Sequence, residues 1–237
     1  MKILAVDTSA SPVSAALLND GFLAGEFYLN TKTTHSQTLM PLIEQLLKMT
    51  DTSLDQIDIF AVNSGPGSFT GVRIGVSSIK GMTMPLNKRC ASVSTLEAMA
   101  YSMPYTDGIV CAVMDARCSQ VYNAIFRLDN GSVERVTEDK AMSIAELENE
   151  LSYYEECNIY LVGDGADICY KAFGENLPTV YLTPQNIRYQ HAYGTAKAAE
   201  KMAEQNKLVS SDELMPFYLR LPQAERELRA KQQKENK

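Results

Sequence analysis

Ile3-Leu4-Ala5-Val6-Asp7 and, later in the chain, Ile109-Val110-Cys111-Ala112-Val113-Met114-Asp115 are the stretches that decide the fold. Each is a short apolar run closed by an aspartate, the pattern of a strand buried in the middle of a sheet. After the first, Val13–Leu18 and Phe22–Leu29 read as two further strands, with Asn19-Asp20-Gly21 as the turn between them. Ser36–Met49 then takes a helical period, and Ile57–Val62 returns as a strand that ends at a glycine-rich turn and a second helix. After the second stretch the order repeats. Gln120–Leu128, a turn at Asp129-Asn130-Gly131, Val133–Val136 and a helix over Ser143–Tyr153 lead to Ile159-Tyr160-Leu161-Val162-Gly163-Asp164-Gly165, which parallels Ile59-Phe60-Ala61-Val62-Asn63-Ser64-Gly65. The chain therefore reads as an α/β protein of two βββαβα units. The expected division is an N-terminal lobe over 1–103, a C-terminal lobe over 104–210 and a tail helix over 211–237 whose packing the pattern does not assign.

Composition narrows the function classes. A chain of 237 residues, 45% hydrophobic and 22% charged, can bury a core without disulfide or metal staples. With 22 Lys+Arg against 29 Asp+Glu the formal net charge is -7, which argues against an independent grip on a nucleic-acid backbone. Five cysteines without a C-x-x-C spacing read as free thiols in a reducing compartment. Met1–Val6 reaches Asp7 before the roughly 7 to 15 apolar residues of a signal-peptide core, and no later run approaches the roughly 18 of a membrane span. A cytoplasmic location with no membrane association is expected.

The strongest local signal is Gly65-Pro66-Gly67-Ser68-Phe69-Thr70-Gly71-Val72-Arg73-Ile74-Gly75, between a strand and a helix. A dinucleotide fingerprint would need glycine where Thr70 stands, and a P-loop would need Gly-Lys-Ser/Thr after its glycines. Two readings stay open: Ser68 or Thr70 caps the helix, or the helix N-terminal amides hold an anion. A duplicated unit whose first strand ends in aspartate resembles the actin, Hsp70 and sugar-kinase superfamily. That resemblance implies ATP between the lobes, with an Asp-x-Gly type turn in each half whose amides approach phosphate. Here the turns are Asp7-Thr8-Ser9 and Asp115-Ala116-Arg117, without the glycine, and Arg117 sets a long side chain where phosphate needs room. The expectation is that the isolated chain does not bind ATP in the usual way. Asp7 and Asp115 read equally as hydrogen-bonded strand ends or as metal and phosphate ligands.

Together with Ile3-Leu4-Ala5-Val6-Asp7-Thr8-Ser9, His35-Ser36 at the head of the first helix, Asp115-Ala116-Arg117 and Pro216-Phe217-Tyr218-Leu219-Arg220, the glycine-rich segment resembles the bacterial TsaB family, also called YeaZ. The likeness is dense over residues 1–127 and thin from there to the tail motif. It implies a non-catalytic scaffold and activator subunit that dimerises with a larger catalytic paralogue, TsaD, for threonylcarbamoyl transfer to adenosine 37 of tRNA. It also implies a small ATPase partner, TsaE, homodimers when TsaD is missing, and tRNA as a partner through the complex. ATP/ADP and metal then belong to the partner subunits, and no cofactor is expected on the isolated chain. The metal-binding His-x-x-x-His of TsaD has no counterpart at His35, which is followed four residues later by Leu39, and His191 is the only other histidine. The alternative is an ATP-dependent phosphotransferase or carbamoyltransferase of the kinase-like superfamily working through Asp7 and Asp115.

The helix over 36–49 offers an interaction surface. Leu39, Met40, Leu42, Ile43, Leu46, Leu47 and Met49 cover roughly half of its circumference at ~100° per residue, a wider stripe than a surface helix needs. The next helix presents Val72, Val76 and Ile79, with Gly71 and Gly75 spaced for close approach. The pattern fits burial of both helices within one lobe as well as a surface for a partner. The family resemblance selects the latter, with Leu39, Ile43, Leu46, Leu47, Val72, Val76 and Ile79 as its residues, because it implies pairing through these two helices.

Overall fold

A computed structural model describes residues 1–31, 33–103 and 106–220. The first unit runs β1 (Lys2–Asp7), β2 (Val13–Asn19), β3 (Phe22–Leu29), α1 (His35–Met49), β4 (Ile59–Gly65) and α2 (Phe69–Thr83), followed by β5 (Arg89–Ser94) and α3 (Thr95–Tyr101). The second runs β6 (Gly108–Asp115), β7 (Gln120–Asp129), β8 (Ser132–Arg135), β9 (Lys140–Ser143), α4 (Ile144–Leu151), β10 (Ile159–Val162) and α5 (Ala166–Phe173). β11 (Val180–Leu182), α6 (Gln185–Arg188) and α7 (Ala192–Glu204) follow. The two sheets have the orders β3-β2-β1-β4-β5 and β11-β10-β6-β7-β8, with β9 pairing β7. In each, the aspartate-ended strand is central, antiparallel to the next strand and parallel to the strand after the crossover helix. This is the duplicated α/β architecture of the actin, Hsp70 and sugar-kinase superfamily. The expected hairpin turns are present: Asp20-Gly21 and Asn130-Gly131 have φ of 49° and 78°, and 48° and 78°, the left-handed pair that two-residue hairpins require.

The helices cover the sheets in layers. α1 and α2 close one face of the first sheet, and their inward residues join Leu4, Val6, Phe60 and Val62 in one core. α7 covers the opposite face with a stripe of small residues, Ala192, Ala196, Ala198 and Ala199. Sequence adjacency assigned residues 192–204 to the second lobe, but their packing is on the first sheet and against α3. Small side chains decide this: a Cβ on Gly194 would sit 2.0 Å from the Ala98 carbonyl oxygen, so the two helices meet backbone to backbone. α3 also faces the second sheet, through Leu96, Met99 and Ala100. α4 and α5 cover that sheet's other face.

The tail differs from the expected helix where it is described. Residues 211–220 form turns and extended chain rather than helix, and 221–237 lie outside the described residues. Val209 exchanges two backbone hydrogen bonds with Cys90, at 2.9 and 2.8 Å, and Leu214 is fully buried in the first core. The segment thus straps α2 onto its lobe.

One expectation is overturned by burial. Leu39, Ile43, Leu46, Val72, Val76 and Ile79 are no more than 3% exposed and form the seam between α1, α2 and the first sheet, while Leu47 is half-buried against the same core. The wide apolar stripe is explained by two internal neighbours, the sheet and the other helix, so these side chains do not offer a surface to a partner. A glutamate at Ile43 or Val76 places an unpaired charge in that seam, at a cost of roughly 3–5 kcal/mol or more. That is a large part of the roughly 5–15 kcal/mol that holds a domain together. Chemical denaturation of Ile43→Glu and Val76→Glu is expected to show loss of the cooperative transition, whereas Met40→Glu, on the exposed side of α1, stays within about 0.5 kcal/mol of the parent.

Candidate functional site

The ends of β1, β4 and β6 meet at the cleft between the sheets, and the side chains there are tied mainly to one another. Asp7 is 1% exposed. Its Oδ1 accepts hydrogen bonds from the Ser9 backbone N–H at 2.8 Å and the Ser9 hydroxyl at 2.6 Å, and its Oδ2 accepts from the Asn63 amide. The Asn63 carbonyl oxygen in turn accepts from the Thr195 hydroxyl at 2.9 Å, joining β1, β4 and α7 in one buried chain of bonds. Burial pushes the Asp7 carboxyl above its ordinary range, and the bonds from Ser9 and Asn63 oppose that push.

Asp115, at the matching end of β6, is exposed. Its Oδ1 accepts from the Arg117 N–H at 2.7 Å. Arg117, Cys118 and Ser119 have φ of 64°, 54° and 56°, three consecutive left-handed residues without a glycine among them. Asp164, just after β10, is pushed up to about 6, by burial first and then by the negative charges of Asp115 and Asp7, against the bond its Oδ1 accepts from Gln190 at 3.0 Å. Asn63 and Asp164 fall in the repeated segments 59–65 and 159–165 but nothing in the sequence marks them as site residues, and Gln190 lies in no motif; each finds its partner in a distant part of the chain.

The glycine-rich turn packs against the Asp7-Thr8-Ser9 turn. A Cβ on Gly67 would lie 2.4 Å from the Ser9 carbonyl oxygen, one on Gly71 2.0 Å from that of Thr8, and one on Gly75 2.5 Å from the Thr8 hydroxyl. The Thr8 hydroxyl donates to the Gly71 carbonyl at 2.7 Å, and the Ser68 N–H to the Ser9 carbonyl at 2.7 Å. Ser68 caps α2, its hydroxyl accepting the Gly71 N–H at 3.3 Å, and Thr70 lies exposed in the first turn. The glycines therefore serve backbone-to-backbone approach.

The tail motif finishes the site. The Phe217 N–H donates to the Ser64 carbonyl at 2.7 Å, and its own carbonyl fills the space that a Cβ on Gly65 would take. The Tyr218 ring stacks on Phe69 at 4.6 Å and its hydroxyl accepts from Arg73 Nε at 2.8 Å, while Arg220 donates to the Ala116 carbonyl at 3.3 Å across the cleft. Among the candidate anion residues, Asp7 and Ser68 meet at the glycine turn, whereas Asp115 and Arg117 belong to the loop on the opposite lobe and Arg117 is exposed. The exposed residues of α1 include Met40, Pro41, Glu44, Gln45, Lys48 and Met49, and those of α2 include Arg73, Ser77 and Gly81, with Met84 exposed just beyond its end.

Residues 29–228 match the family model described as TsaD, tRNA N6-adenosine threonylcarbamoyltransferase. The chain is 32% identical to the tRNA threonylcarbamoyladenosine biosynthesis protein TsaB of Escherichia coli (strain K12), over 93% of this chain and 95% of that one. It is 36% identical to the Bacillus subtilis (strain 168) protein of the same name, over 62% of this chain and 64% of that one. Among solved structures, YeaZ from Pseudomonas aeruginosa superposes with a TM-score of 0.79 at 26% identity, covering 92% of this chain and 99% of that one. Motifs, duplicated fold and relatives agree, and the chain belongs to the TsaB family, also called YeaZ, within the wider family that the TsaD model describes.

Proposed function

We propose that this chain is a non-catalytic scaffold and activator subunit in tRNA threonylcarbamoyladenosine biosynthesis, the process its relatives are named for, and that it pairs with a TsaD-like catalytic subunit. The observation that carries the reading is the state of the Asp7 turn. Its carboxylate is bonded at both oxygens to Ser9 and Asn63, and the neighbouring glycines are packed against Thr8 and Ser9. Such a turn holds a structure in place: three hydrogen bonds converge on a carboxylate that is 1% exposed, which disfavours its use as a cation or phosphate ligand.

The work proposed is differential binding: the subunit favours one arrangement of its partner and so shifts that population without donating a reacting group. The surface proposed for it is the outer side of α1 and α2; Met40 and Met49 stand on opposite flanks of α1 and Met84 follows the end of α2, and they are 45%, 70% and 59% exposed. Unbranched thioether side chains adapt to a partner's shape, and Gly81 lets a facing backbone come close. The same surface serves a homodimer when the catalytic subunit is missing. A TsaE-like ATPase joins the pair, tRNA is met through the complex, and ATP/ADP and metal reside with the partner subunits.

Two measurements test this reading. Calorimetry with ATP and Mg²⁺ on the isolated chain is expected to give no saturable heat; micromolar binding with turnover would put the kinase-like alternative first. For the surface, Met49→Glu combined with Met84→Glu is expected to leave the melting transition unchanged while weakening capture of the TsaD-like partner by at least about 30-fold, the loss of a ~2 kcal/mol hot spot. Folded variants that bind normally would move the interface off these helices.

A further inference from the structure

Away from the Asp7 turn, a solvent-connected pocket of about 420 Å³ lies where the two lobes meet. Ser64 and Gly65 at the end of β4, Ser92 and Ser94 of β5, and Glu97 of α3 form one wall. Arg135 at the end of β8, with Glu138 and Asp139 of the segment that follows, forms the other, and Phe217 also lines the pocket. Its volume falls in the range of roughly 300–1,000 Å³ of small-molecule sites.

The polar groups of this pocket are unevenly engaged. Arg135 is committed: Nη1 donates to Asp139 at 2.6 Å and to the Thr137 carbonyl at 3.3 Å, Nη2 donates to Glu97 at 3.2 Å, and the guanidinium lies 4.8 Å from the Phe126 ring centroid. Asp139 is committed too, one oxygen to Arg135 and the other to the Ser94 hydroxyl at 2.6 Å. The Ser64 hydroxyl donates to the Val93 carbonyl at 3.2 Å and keeps its lone pairs. Glu97 Oε1, both oxygens of Glu138 and the half-buried Ser92 hydroxyl have no hydrogen-bond partner among the described residues. Three carboxylates stand against one guanidinium already in use, so the pocket is rich in free acceptors and poor in free donors. Anions are thereby disfavoured. A bare metal ion does not fit either: among the described residues no three His, Cys, Asp or Glu side chains converge closely enough to hold one. What fits is a molecule that brings several N–H donors and a positive charge, of a size to enter a pocket of about 420 Å³.

We propose that this interlobe pocket binds a small organic cation through a primary ammonium group, whose donors are met by Glu97, Glu138 and Ser92 and whose charge lies near Phe217, another residue of the lining. An ammonium near an aromatic face gains further attraction, and its hydrogen bonds to ionised carboxylates are of the stronger, charge-assisted kind. Because one wall comes from each lobe, the ligand favours the closed spacing of the two. The site is independent of the partner assignment above.

The test is a titration of the full-length chain followed by two-dimensional amide NMR, with ethanolamine and putrescine as free amines, Nα-acetyl-lysinamide as the mimic of a protein lysine, and acetate and glycerol as controls at matched ionic strength. Saturable shifts at Ser92, Ser94, Glu97 and Phe217 with the amines and not with the controls are expected. Response to the free amines assigns a small-molecule ligand; response to the lysine mimic alone assigns the same ammonium chemistry to a protein side chain. Glu138→Gln, which removes an exposed and unpartnered carboxylate, is expected to keep the melting temperature and to weaken binding about tenfold, as is Ser92→Ala to a smaller degree. The proposal is overturned if the amines do not saturate, if acetate binds as well, or if binding is unchanged in both folded variants, the mark of diffuse attraction to an acidic surface.

Discussion

The constraint on which the rest of the structure depends is the contact between the backbone of Thr8–Ser9 and the turn that begins α2. Gly67 in that turn and Gly71 and Gly75 in the first two turns of α2 approach so closely that a methyl group on any of them would lie within 2.5 Å of a Thr8 or Ser9 oxygen, the Thr8 hydroxyl in the case of Gly75. Only glycine allows this, and the approach lets α2 lie flat against the sheet, so that Val72, Val76 and Ile79 reach the seam where α1 arrives from the other side. The second lobe repeats the device. A Cβ on Gly163 would fall 2.0 Å from the Val113 carbonyl oxygen, and one on Gly165 2.9 Å from the Met114 carbonyl carbon. In both halves the turn after the crossover strand is pressed onto the end of the strand that closes in aspartate. The duplication is therefore one of packing as well as of strand order.

What could be read from the sequence follows from which signals are local. Apolar runs, helical periodicity and Asn-Gly or Asp-Gly turns are fixed by neighbours along the chain, and they revealed the central strands and the hairpins but not β5 or β11. The outer strand β9 has four residues, Lys140-Ala141-Met142-Ser143, without an alternating apolar face, and gave no signal. α7 carries mainly alanine, glycine and threonine on its buried face, so its pattern shows a helix but not which sheet it covers. Periodicity reported correctly that α1 has a wide apolar stripe; it did not show that the stripe has two internal neighbours, because that depends on where α2 lies. Asn63, Asp164 and Gln190 find their partners only in the folded chain, and no local pattern marks them as site residues.

The tail motif is an instructive middle case. Pro216-Phe217-Tyr218-Leu219-Arg220 stands out as a sequence, yet its use depends on three separate elements: the end of β4 for Phe217, α2 for Tyr218 and the second lobe for Arg220. Pairs drawn from so many parts of the fold leave no periodic trace. The same geometry makes the strap a coupling element. It fixes the first turn of α2, whose outer side is the proposed partner surface, and it supplies the Phe217 wall of the interlobe pocket.

That shared strap has a thermodynamic consequence. If a partner on α2 and a small cation in the pocket both favour one placement of residues 216–220, each raises the other's affinity by the same factor, because coupling between two binding equilibria is reciprocal. If they favour different placements, each weakens the other equally. The strap is short and held at both ends, by Leu214 in the first core and Arg220 on the second lobe, so it has little freedom to satisfy two arrangements at once. On the proposed reading, a subunit built this way would not need chemistry at its cleft to respond to what occupies it. The Asp7 turn can remain closed on itself while the contacts of Phe217 and Tyr218 carry the response between the lobe interface and the outer helices.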